Sequence, residues 1–405
     1  MGLTRTRDLR DGKSVWTAYR VPSILGVKLR RSTRADVVVV GAGISGALVA
    51  QALAEAGLRP VIVDRRRAAL LGSTAASTAL LQFELDTPLS KLSRFIGRRK
   101  AGRVWVASRD AVNDLRTTAC RLGIRAHMQT RPSLYLSGNV LDAKGLQREA
   151  AARQRLGLAS EWLNRKALRR HFDIDRPGAL LSHGNAEANP IELAAGFMRH
   201  ALKAGAKFYA PHEVVELQPT RRGTILLMDD GIEIHTARVV LCTGYEIAKI
   251  VPPSGNRIRS TWAIATPPQP QRLWPQRALI WEASDPYLYV RTTHDGRVIC
   301  GGEDADIADA TRRDARSAMK SSRIGAKLGR LFPALDTRAV FAWAGSFAAS
   351  PSGMPTIGEI PGYSGCFAVM GYGGNGITFS MLARRLICAA ILRRKSPDAA
   401  LFGFD

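Results

Sequence analysis

The sequence predicts an α/β protein in which a Rossmann-type parallel sheet domain is joined to a second, α+β domain built on an antiparallel sheet. Residues 36–40, DVVVV, are a β-branched run of the kind buried on both faces of a parallel sheet, and GAGISG follows at once. Residues 238–244 form a second such run, RVVLCTG. Segments 278–282, 287–291 and 297–301 alternate aromatic and polar residues, as antiparallel strands do.

The parallel domain opens with a βαβ unit. After strand 36–40, small and apolar residues recur at helical spacing and predict a helix over 45–57. Gly57 ends this helix, and residues 60–64, PVIVD, form a second strand with an acid at its carboxyl end. A unit of this kind is the opening of a nucleotide-binding fold.

The turn of this unit and the acid that follows it predict a bound dinucleotide, FAD or NAD(P). Gly41 permits the tight bend, Gly43 leaves room for a diphosphate, and Gly46 lets the helix pack closely on the strand. The positive end of the helix then faces the phosphates. Asp64 lies 18 residues after Gly46, where its carboxylate can accept hydrogen bonds from ribose hydroxyls.

The remaining elements follow from periodicity and turn residues. Helices are predicted over 103–122, 143–170, 190–205 and 378–393, and strands over 133–137, 178–183, 207–210, 213–218, 223–228, 232–241 and 366–370. The stretch 251–275 carries six prolines and predicts a change of domain.

Composition and charge limit the classes of protein to which this chain can belong. A chain of 405 residues with 46% apolar and 23% charged side chains has a buried core and two or three domains, which excludes a disordered or fibrous protein. The net charge of +25 is scattered in short basic runs along the chain, so it predicts a solvated surface and no nucleic-acid partner. Glycines within the apolar stretch 36–58, with Gln51 and Glu55, exclude a transmembrane segment there.

Neither a disulfide nor a metal is expected. The five cysteines are far apart and odd in number, and they read as reduced residues of a cytoplasmic protein. The seven histidines show no metal-ligand spacing. The first 20 residues lack the apolar core of a signal peptide.

Three further segments favour FAD over NAD(P). Residues 72–78, GSTAAST, supply small side chains and hydroxyls just past the second strand. The strand that ends in Thr243 and Gly244 can place its backbone beside a dinucleotide, and the glycine-rich run 371–376 begins another helix. Each is an ordinary turn when taken alone; together, in this order, they favour an extended FAD.

The chain resembles the D-amino-acid-oxidase-type (DAO) family of FAD-dependent amine oxidoreductases over residues 35–393, with the γ-glutamylputrescine-oxidase-like branch closest. The motifs on which this resemblance rests are VVVVGAGISGALVAQALAEAG, GSTAASTALLQFELDTPL, VVLCTGYE, YLYVRTTHDGRVICGGED, WAGSFAASPSGMPTIGEIPG and GYGGNGIT. The resemblance implies an FAD-binding domain assembled from 34–102, 188–250 and 340–405, a substrate domain from 103–187 and 251–339, and an N-terminal extension over 1–33.

The resemblance also implies the site residues. The FAD-binding set is Gly41, Gly43, Ile44, Ser45, Gly46, Asp64, Arg65, Ser73, Thr74, Ser77, Val214, Thr243, Gly244, Gly345, Gly374, Asn375, Gly376, Ile377 and Thr378. Aromatic walls over the flavin are expected from Trp343, Phe347, Tyr372, Tyr287 and Tyr289. For any one of these aromatic residues, ordinary sheet packing is the competing interpretation.

Three departures from the family pattern carry information. Phe347 stands where amino-acid-oxidising relatives have an arginine for the substrate carboxylate, and Arg291 is a candidate substitute clamp, against a structural strand arginine. Ala76 stands where some relatives attach flavin through a histidine. No cysteine lies between 301 and 365, so FAD is expected to be non-covalent.

The implied reaction is oxidation of a C–N bond in a small amine by hydride transfer to flavin N5, after which water hydrolyses the imine. Oxygen or another acceptor would then take the electrons. Two alternatives remain: a flavin dehydrogenase that passes electrons to a quinone, and an RNA-binding or RNA-modifying flavoprotein like one branch of this family.

Overall fold

The computed structural model describes residues 2–21, 23–253 and 255–404. In chain order its strands are β1 (Arg10–Lys13), β2 (Thr33–Ala35), β3 (Val37–Val40), β4 (Pro60–Val63), β5 (Leu80–Leu81), β6 (Gln129–Leu136), β7 (Ser160–Asn164), β8 (Gly178–Glu187), β9 (Lys207–Tyr209), β10 (Val214–Thr220), β11 (Gly223–Met228), β12 (Glu233–Thr236), β13 (Val239–Leu241), β14 (Arg257–Ala265), β15 (Leu279–Glu282), β16 (Leu288–Thr292), β17 (Val298–Ala305), β18 (Phe341–Ala349), β19 (Thr356–Glu359) and β20 (Cys366–Met370). The α-helices are α1 (Ile44–Glu55), α2 (Leu89–Ile96), α3 (Arg98–Arg121), α4 (Ala143–Gln154), α5 (Arg165–Phe172), α6 (Pro190–Lys203), α7 (Ala310–Asp314), α8 (Ser317–Leu331), α9 (Gly376–Ile391) and α10 (Ala399–Phe402).

The first sheet is the predicted parallel one, in the order β19-β20-β13-β3-β4-β9, with only the β19–β20 pair antiparallel. All four residues of β3 are buried. Val37 and Val39 pack in the core with α1, α6 and α9, whereas Val38 and Val40 pack with β10 to β12 on the opposite face. This two-sided burial is why the strand reads as an uninterrupted β-branched run.

The second sheet has ten strands, ordered β1-β18-β14-β17-β16-β15-β6-β8-β5, with β7 also paired to β8. Most of its pairs are antiparallel, as predicted, and β15 with β6 is a parallel exception. Helix α8 packs against its core through Ile324 and Leu328. A third sheet, β10-β11-β12-β2, covers the remaining face of the parallel sheet.

Two predicted elements are divided in the structure. The helix expected over 143–170 is interrupted by Gly157, whose φ of 69° ends α4, and by β7, which pairs with β8. Asn164 then accepts a hydrogen bond from the Ala167 N–H and starts α5. The strand expected over 232–241 is two strands in different sheets, β12 and β13.

Two strands pair with strands that lie outside the segments to which the sequence analysis assigned them. Strand β18 lies in the segment 340–405 that we assigned to the FAD-binding domain, yet it pairs with β14 in the ten-stranded sheet. Strand β1 lies in the presumed N-terminal extension and pairs with the other edge of β18. Pairing partners that are distant in sequence set the position of both strands, and local patterns do not reveal such partners. Within the described residues, the helices fall short of the length or apolar character needed to cross a bilayer.

Candidate functional site

The turn between β3 and α1 is shaped by glycines. Gly41 has a φ of 109°, and a Cβ there would lie 2.3 Å from the Cys242 carbonyl oxygen. A Cβ at Gly46 would lie 1.9 Å from the Gly41 carbonyl oxygen. Gly43 occupies the N-cap of α1 and has no side chain to cap it. The turn therefore leaves the positive end of α1 open to an anion.

Asp64 lies at the carboxyl end of β4, directly beside this turn. Its Oδ2 accepts a hydrogen bond of 2.8 Å from the Ala42 N–H, and its Oδ1 accepts one of 2.8 Å from the Arg66 N–H. Burial raises the pKa of Asp64, and the two backbone hydrogen bonds partly offset this rise. The carboxylate is thus held at the edge of the cavity in a fixed orientation.

A long cavity, about 1850 Å³ including its opening to solvent, runs from this turn to the ten-stranded sheet. The structure brings most of the predicted site residues to its wall. They are Gly41, Gly43, Ile44, Ser45, Asp64, Arg65, Ser73, Thr74, Ser77, Val214, Thr243, Gly244, Gly345, Gly374, Asn375, Gly376, Ile377, Phe347, Tyr372, Tyr287 and Tyr289.

Four predicted residues lie off the wall of the cavity. Gly46 acts through its contact with Gly41, and Thr378 donates to the Gln82 carbonyl oxygen at 2.9 Å. The indole of Trp343 is buried and donates to the Ala76 carbonyl oxygen at 2.9 Å. Arg291 is 2% exposed and is not among the residues that line the cavity. Its role as a substrate clamp was therefore the wrong interpretation.

Arg291 and Trp343 instead hold residues 76–79, which we call the 76–79 loop. The guanidinium Nη1 of Arg291 donates to the carbonyl oxygens of Thr78 and Ala79, at 3.1 and 2.8 Å. The Trp16 indole donates to the Ser77 carbonyl oxygen at 2.7 Å. With the bond from Trp343, four successive carbonyls are held from the ten-stranded sheet and the N-terminal segment. These residues position one wall of the cavity.

The glycine-rich turn before α9 is fixed from the same side. Asn375 Nδ2 donates to the Glu84 carbonyl oxygen at 2.6 Å, and the Gly374 N–H donates to Asp86 Oδ2 at 2.9 Å. Tyr372 donates its hydroxyl to Ser45 Oγ at 2.9 Å. The turn, α9 and α1 are therefore tied together at the cavity.

The far end of the cavity is aromatic. Tyr287 and Tyr289 line it with ring centroids 5.6 Å apart, and burial raises the pKa of both. Phe347, on β18 of the same sheet, also lines the cavity. Trp281, which sequence reasoning missed, also lines this end and stacks on Tyr135 at 3.7 Å. Its place in an alternating aromatic strand was the available signal.

The N-terminal segment was also missed as part of the site. Leu3 and Leu9 line the cavity, Leu3 N–H donates to the Val214 carbonyl oxygen at 3.2 Å, and Ser346 N–H donates to the Leu9 carbonyl oxygen at 2.9 Å. The segment therefore passes along the cavity from one end to the other. No local motif in residues 3–13 indicates this path.

The wall fits a dinucleotide such as FAD. Ser73 Oγ and Gln82 Nε2 both belong to cavity-lining residues, and both are buried without a hydrogen-bond partner. Buried polar atoms of this kind call for a ligand or water. The open end of α1 and the small side chains at Gly41 and Gly43 would admit a diphosphate, and Asp64 would accept from a ribose.

One group of possible metal ligands lies near the Asp64 end: His212, Asp229 and Asp230. His212 Nε2 accepts a hydrogen bond of 2.8 Å from the Leu29 N–H, so in the neutral ring the proton is on Nδ1. Nδ1 lies 3.5 Å from Asp230 Oδ2. A protonated nitrogen has no lone pair for a metal, and this Nδ1 is buried without a hydrogen-bond partner, so in the neutral ring it is not available as a metal ligand.

Asp64→Ala is expected to weaken FAD affinity by ~10–150-fold, because charge-assisted hydrogen bonds contribute ~1.5–3 kcal/mol each. Its distance from the aromatic end predicts no change in substrate preference. Flavin fluorescence during serial dilution measures the affinity. Asp64→Asn is the matched control: it keeps a backbone acceptor and should lose less. Undiminished FAD retention by Asp64→Ala would reject the role of Asp64.

Comparison with known proteins shows the family of the chain. The family described as FAD dependent oxidoreductase, DAO, matches residues 36–390. The chain is 26% identical over 379 residues to gamma-glutamylputrescine oxidoreductase of Escherichia coli (strain K12), covering 90% of this chain and 85% of that protein.

Solved structures share the fold. Glycine oxidase from Geobacillus kaustophilus aligns with a TM-score of 0.75 at 21% identity, covering 92% of this chain and 98% of that chain. L-proline dehydrogenase from P. horikoshii aligns with a TM-score of 0.77 at 17% identity, covering 92% and 97%. With a family match that spans nearly the whole chain, this protein belongs to the DAO family and is an FAD-dependent oxidoreductase.

Proposed function

We propose that the enzyme oxidises a C–N bond in a small amine that carries no carboxylate beside the reacting carbon. One observation carries this proposal: Phe347 lies at the aromatic end of the cavity, whereas the cavity-lining arginines of the described residues, Arg65 and Arg66, lie beside Asp64 at the opposite end. Burying a carboxylate without a bidentate arginine costs several kcal/mol. An amine without that carboxylate avoids the cost.

The chemistry follows from this wall. Bound FAD, held without a covalent bond, would accept a hydride from the carbon that bears the nitrogen, and water would hydrolyse the resulting imine to a carbonyl compound and an amine or ammonia. Tyr287, Tyr289 and Phe347 would orient the substrate and exclude water. The open N-terminal end of α9 favours negative charge at the glycine-rich turn.

The names of relatives divide between amine and amino-acid substrates. Gamma-glutamylputrescine oxidoreductase is named for an amine, and glycine oxidase for an amino acid. The aromatic residue at 347 supports the amine for this chain. Oxygen, a quinone or another acceptor would receive the electrons, and the scattered basic residues support no RNA substrate.

Anaerobic mixing of the holoenzyme with a panel of amines and amino acids tests the proposal. We expect putrescine-type or aralkyl amines to bleach the flavin absorption faster than glycine, sarcosine or D-alanine. The physical reason is the missing cation for the α-carboxylate. Stopped-flow absorbance gives the reduction rate for each compound, and hydrogen peroxide formed under air then separates oxygen from other acceptors.

A rearrangement of one arginine would contradict the proposal. Arg259 on β14 lies directly across from Phe347, with its Nε 2.8 Å from Asp306 Oδ1. If Arg259 left that ion pair to bind a carboxylate, D-alanine would reduce the flavin faster than putrescine. That result would identify an amino-acid oxidoreductase.

A further inference from the structure

One stretch of the chain departs from the scattered charge pattern. Residues 87–109 contain seven basic side chains and no aspartate or glutamate. Two of the seven are paired, Arg103 with Asp398 and Arg109 with Asp110. The other five are exposed and form no ion pair with a carboxylate of the described residues. They are Lys91, Arg94, Arg98, Arg99 and Lys100. An uncompensated positive field therefore covers this part of the surface.

The five cations lie where α2 ends and α3 begins. Helix α2 ends at Ile96 and α3 begins at Arg98, so only Gly97 separates the two helices. Arg98, Arg99 and Lys100 form the first turn of α3, which contains no acidic residue. Cations in a first turn are unfavourable, because the N-terminal end of a helix is the positive end of its dipole. Helix stability therefore does not explain this placement.

An exposed aromatic side chain lies among these cations. Phe95 is 67% exposed, and it is the only exposed residue among the Phe, Tyr and Trp side chains that the structure describes. The rest of α2 is firmly packed. Leu92 is fully buried, and the N–H groups of Leu89 and Ser90 donate to the Glu149 carboxylate at 2.8 and 2.9 Å. Phe95 is therefore held at the surface by a fixed helix.

We propose that the surface formed by Lys91, Arg94, Phe95, Arg98, Arg99 and Lys100, which we call the 91–100 surface, docks on anionic phospholipid bilayers. Negative headgroups complement the five unpaired cations, and each Lys or Arg near such a leaflet raises the affinity ~5-fold. The Phe95 ring would enter the boundary between headgroups and acyl chains, where amphipathic helices bury their apolar side chains. The enzyme would then be a peripheral membrane protein.

A bilayer fits this surface better than a nucleic acid does. Single-stranded nucleic acids bind along positively charged grooves in which several aromatic rings stack on successive bases. The 91–100 surface offers one aromatic ring, and none of its residues lines a cavity of the described part of the chain. One apolar side chain among exposed cations matches the interface of an anionic membrane.

Cosedimentation of the FAD-loaded enzyme with lipid vesicles tests the proposal. We expect binding to vesicles made of equal parts of phosphatidylcholine and phosphatidylglycerol, and far weaker binding to phosphatidylcholine alone. High salt should reduce the binding, because it screens exposed charges. A charge-reversal variant, Arg98→Glu with Arg99→Glu, should bind at least ~20-fold more weakly, since it loses two attractions of ~5-fold each. Phe95→Ala should weaken binding at least ~5-fold with no change of charge.

Arg221→Glu with Arg222→Glu is the matched control. Both arginines are exposed in the turn between β10 and β11, and no exposed large apolar side chain lies near them in the chain. The net charge changes as much as in the charge-reversal variant, so a general effect of charge would appear in both. We expect the control to lose less than ~3-fold in affinity.

Thermal unfolding separates docking from folding. Acidic residues in the first turn of α3 interact favourably with the helix dipole. The charge-reversal variant should therefore unfold at or above the melting temperature of the wild type while it loses vesicle binding.

Three results would overturn the proposal. In the first, the wild type does not bind the anionic vesicles. In the second, the control loses as much affinity as the charge-reversal variant, so that net charge alone explains the binding. In the third, single-stranded RNA binds in place of vesicles and is lost in the charge-reversal variant, which would assign the 91–100 surface to nucleic acid. The proposed amine oxidation is tested separately, by flavin reduction, and stands or falls independently.

Discussion

Gly46→Ala is expected to weaken FAD binding strongly. The new Cβ would lie 1.9 Å from the Gly41 carbonyl oxygen and 3.0 Å from its carbon, and both are backbone atoms that no side-chain rotation relieves. Helix α1 would have to move away from β3, and the diphosphate-binding turn would open with it. Overpacking costs ~1–3 kcal/mol, so at the upper end FAD affinity falls by ~100-fold. Flavin content after gel filtration and fluorescence titration of apoprotein with FAD measure this loss.

Gly329→Ala is the control for this substitution. Gly329 also lies within a helix, α8, where a Cβ would come no closer than 3.7 Å to Thr337. It should retain FAD and gain up to ~1 kcal/mol of stability, because alanine is the better helix former. If Gly46→Ala purified with a full complement of flavin, the close contact at Gly41 would not govern the turn.

Arg291→Met is expected to destabilise the folded protein and to loosen the flavin together. The guanidinium donates to the carbonyl oxygens of Thr78, Ala79 and Ala188, and it lies 3.5 Å from the carboxylate of Glu187. Methionine fills similar volume but leaves these acceptors unsatisfied and the buried Glu187 with one cation fewer. Breaking a buried ion pair from one side costs ~3–5 kcal/mol. Urea denaturation measures the free energy of unfolding, and flavin release on dilution reports the 76–79 loop.

Arg148→Met separates this effect from loss of charge alone. Arg148 is exposed on α4, so the substitution should change the free energy of unfolding by less than ~0.5 kcal/mol. If Arg291→Met kept the free energy of unfolding of the wild type but amino acids reduced its flavin more slowly, Arg291 would be a substrate clamp after all.

The cofactor half of the site was predictable from the sequence because its contacts are local. A turn that approaches a diphosphate requires glycine at Gly41 and Gly43, and a strand buried on both faces requires the β-branched run at 36–40. These needs act on neighbouring residues, so they leave a readable pattern. The family resemblance then extended the prediction to separated segments such as 374–378.

The substrate half was predictable only in outline. Alternation identified the aromatic strands around Tyr287 and Tyr289, but whether a residue faces the cavity depends on the registers of β14, β16, β17 and β18. Trp343 and Trp281 are both strand tryptophans. The indole of Trp343 bonds to the 76–79 loop, and Trp281 lines the cavity. Nothing in the sequence of either strand predicts which tryptophan lines the cavity.

By itself, therefore, the sequence determined the fold class, the dinucleotide-binding turn and the departure at Phe347, since each depends on residue type and short spacing. Only the tertiary structure decided which charges meet. Arg291 lies 3.5 Å from the Glu187 carboxylate and donates to the Ala79 carbonyl oxygen, 212 positions earlier in the chain, and it is not among the residues that line the cavity. Coulombic interactions depend on distance and burial rather than on order along the chain, so charge complementarity becomes visible only once the chain has folded.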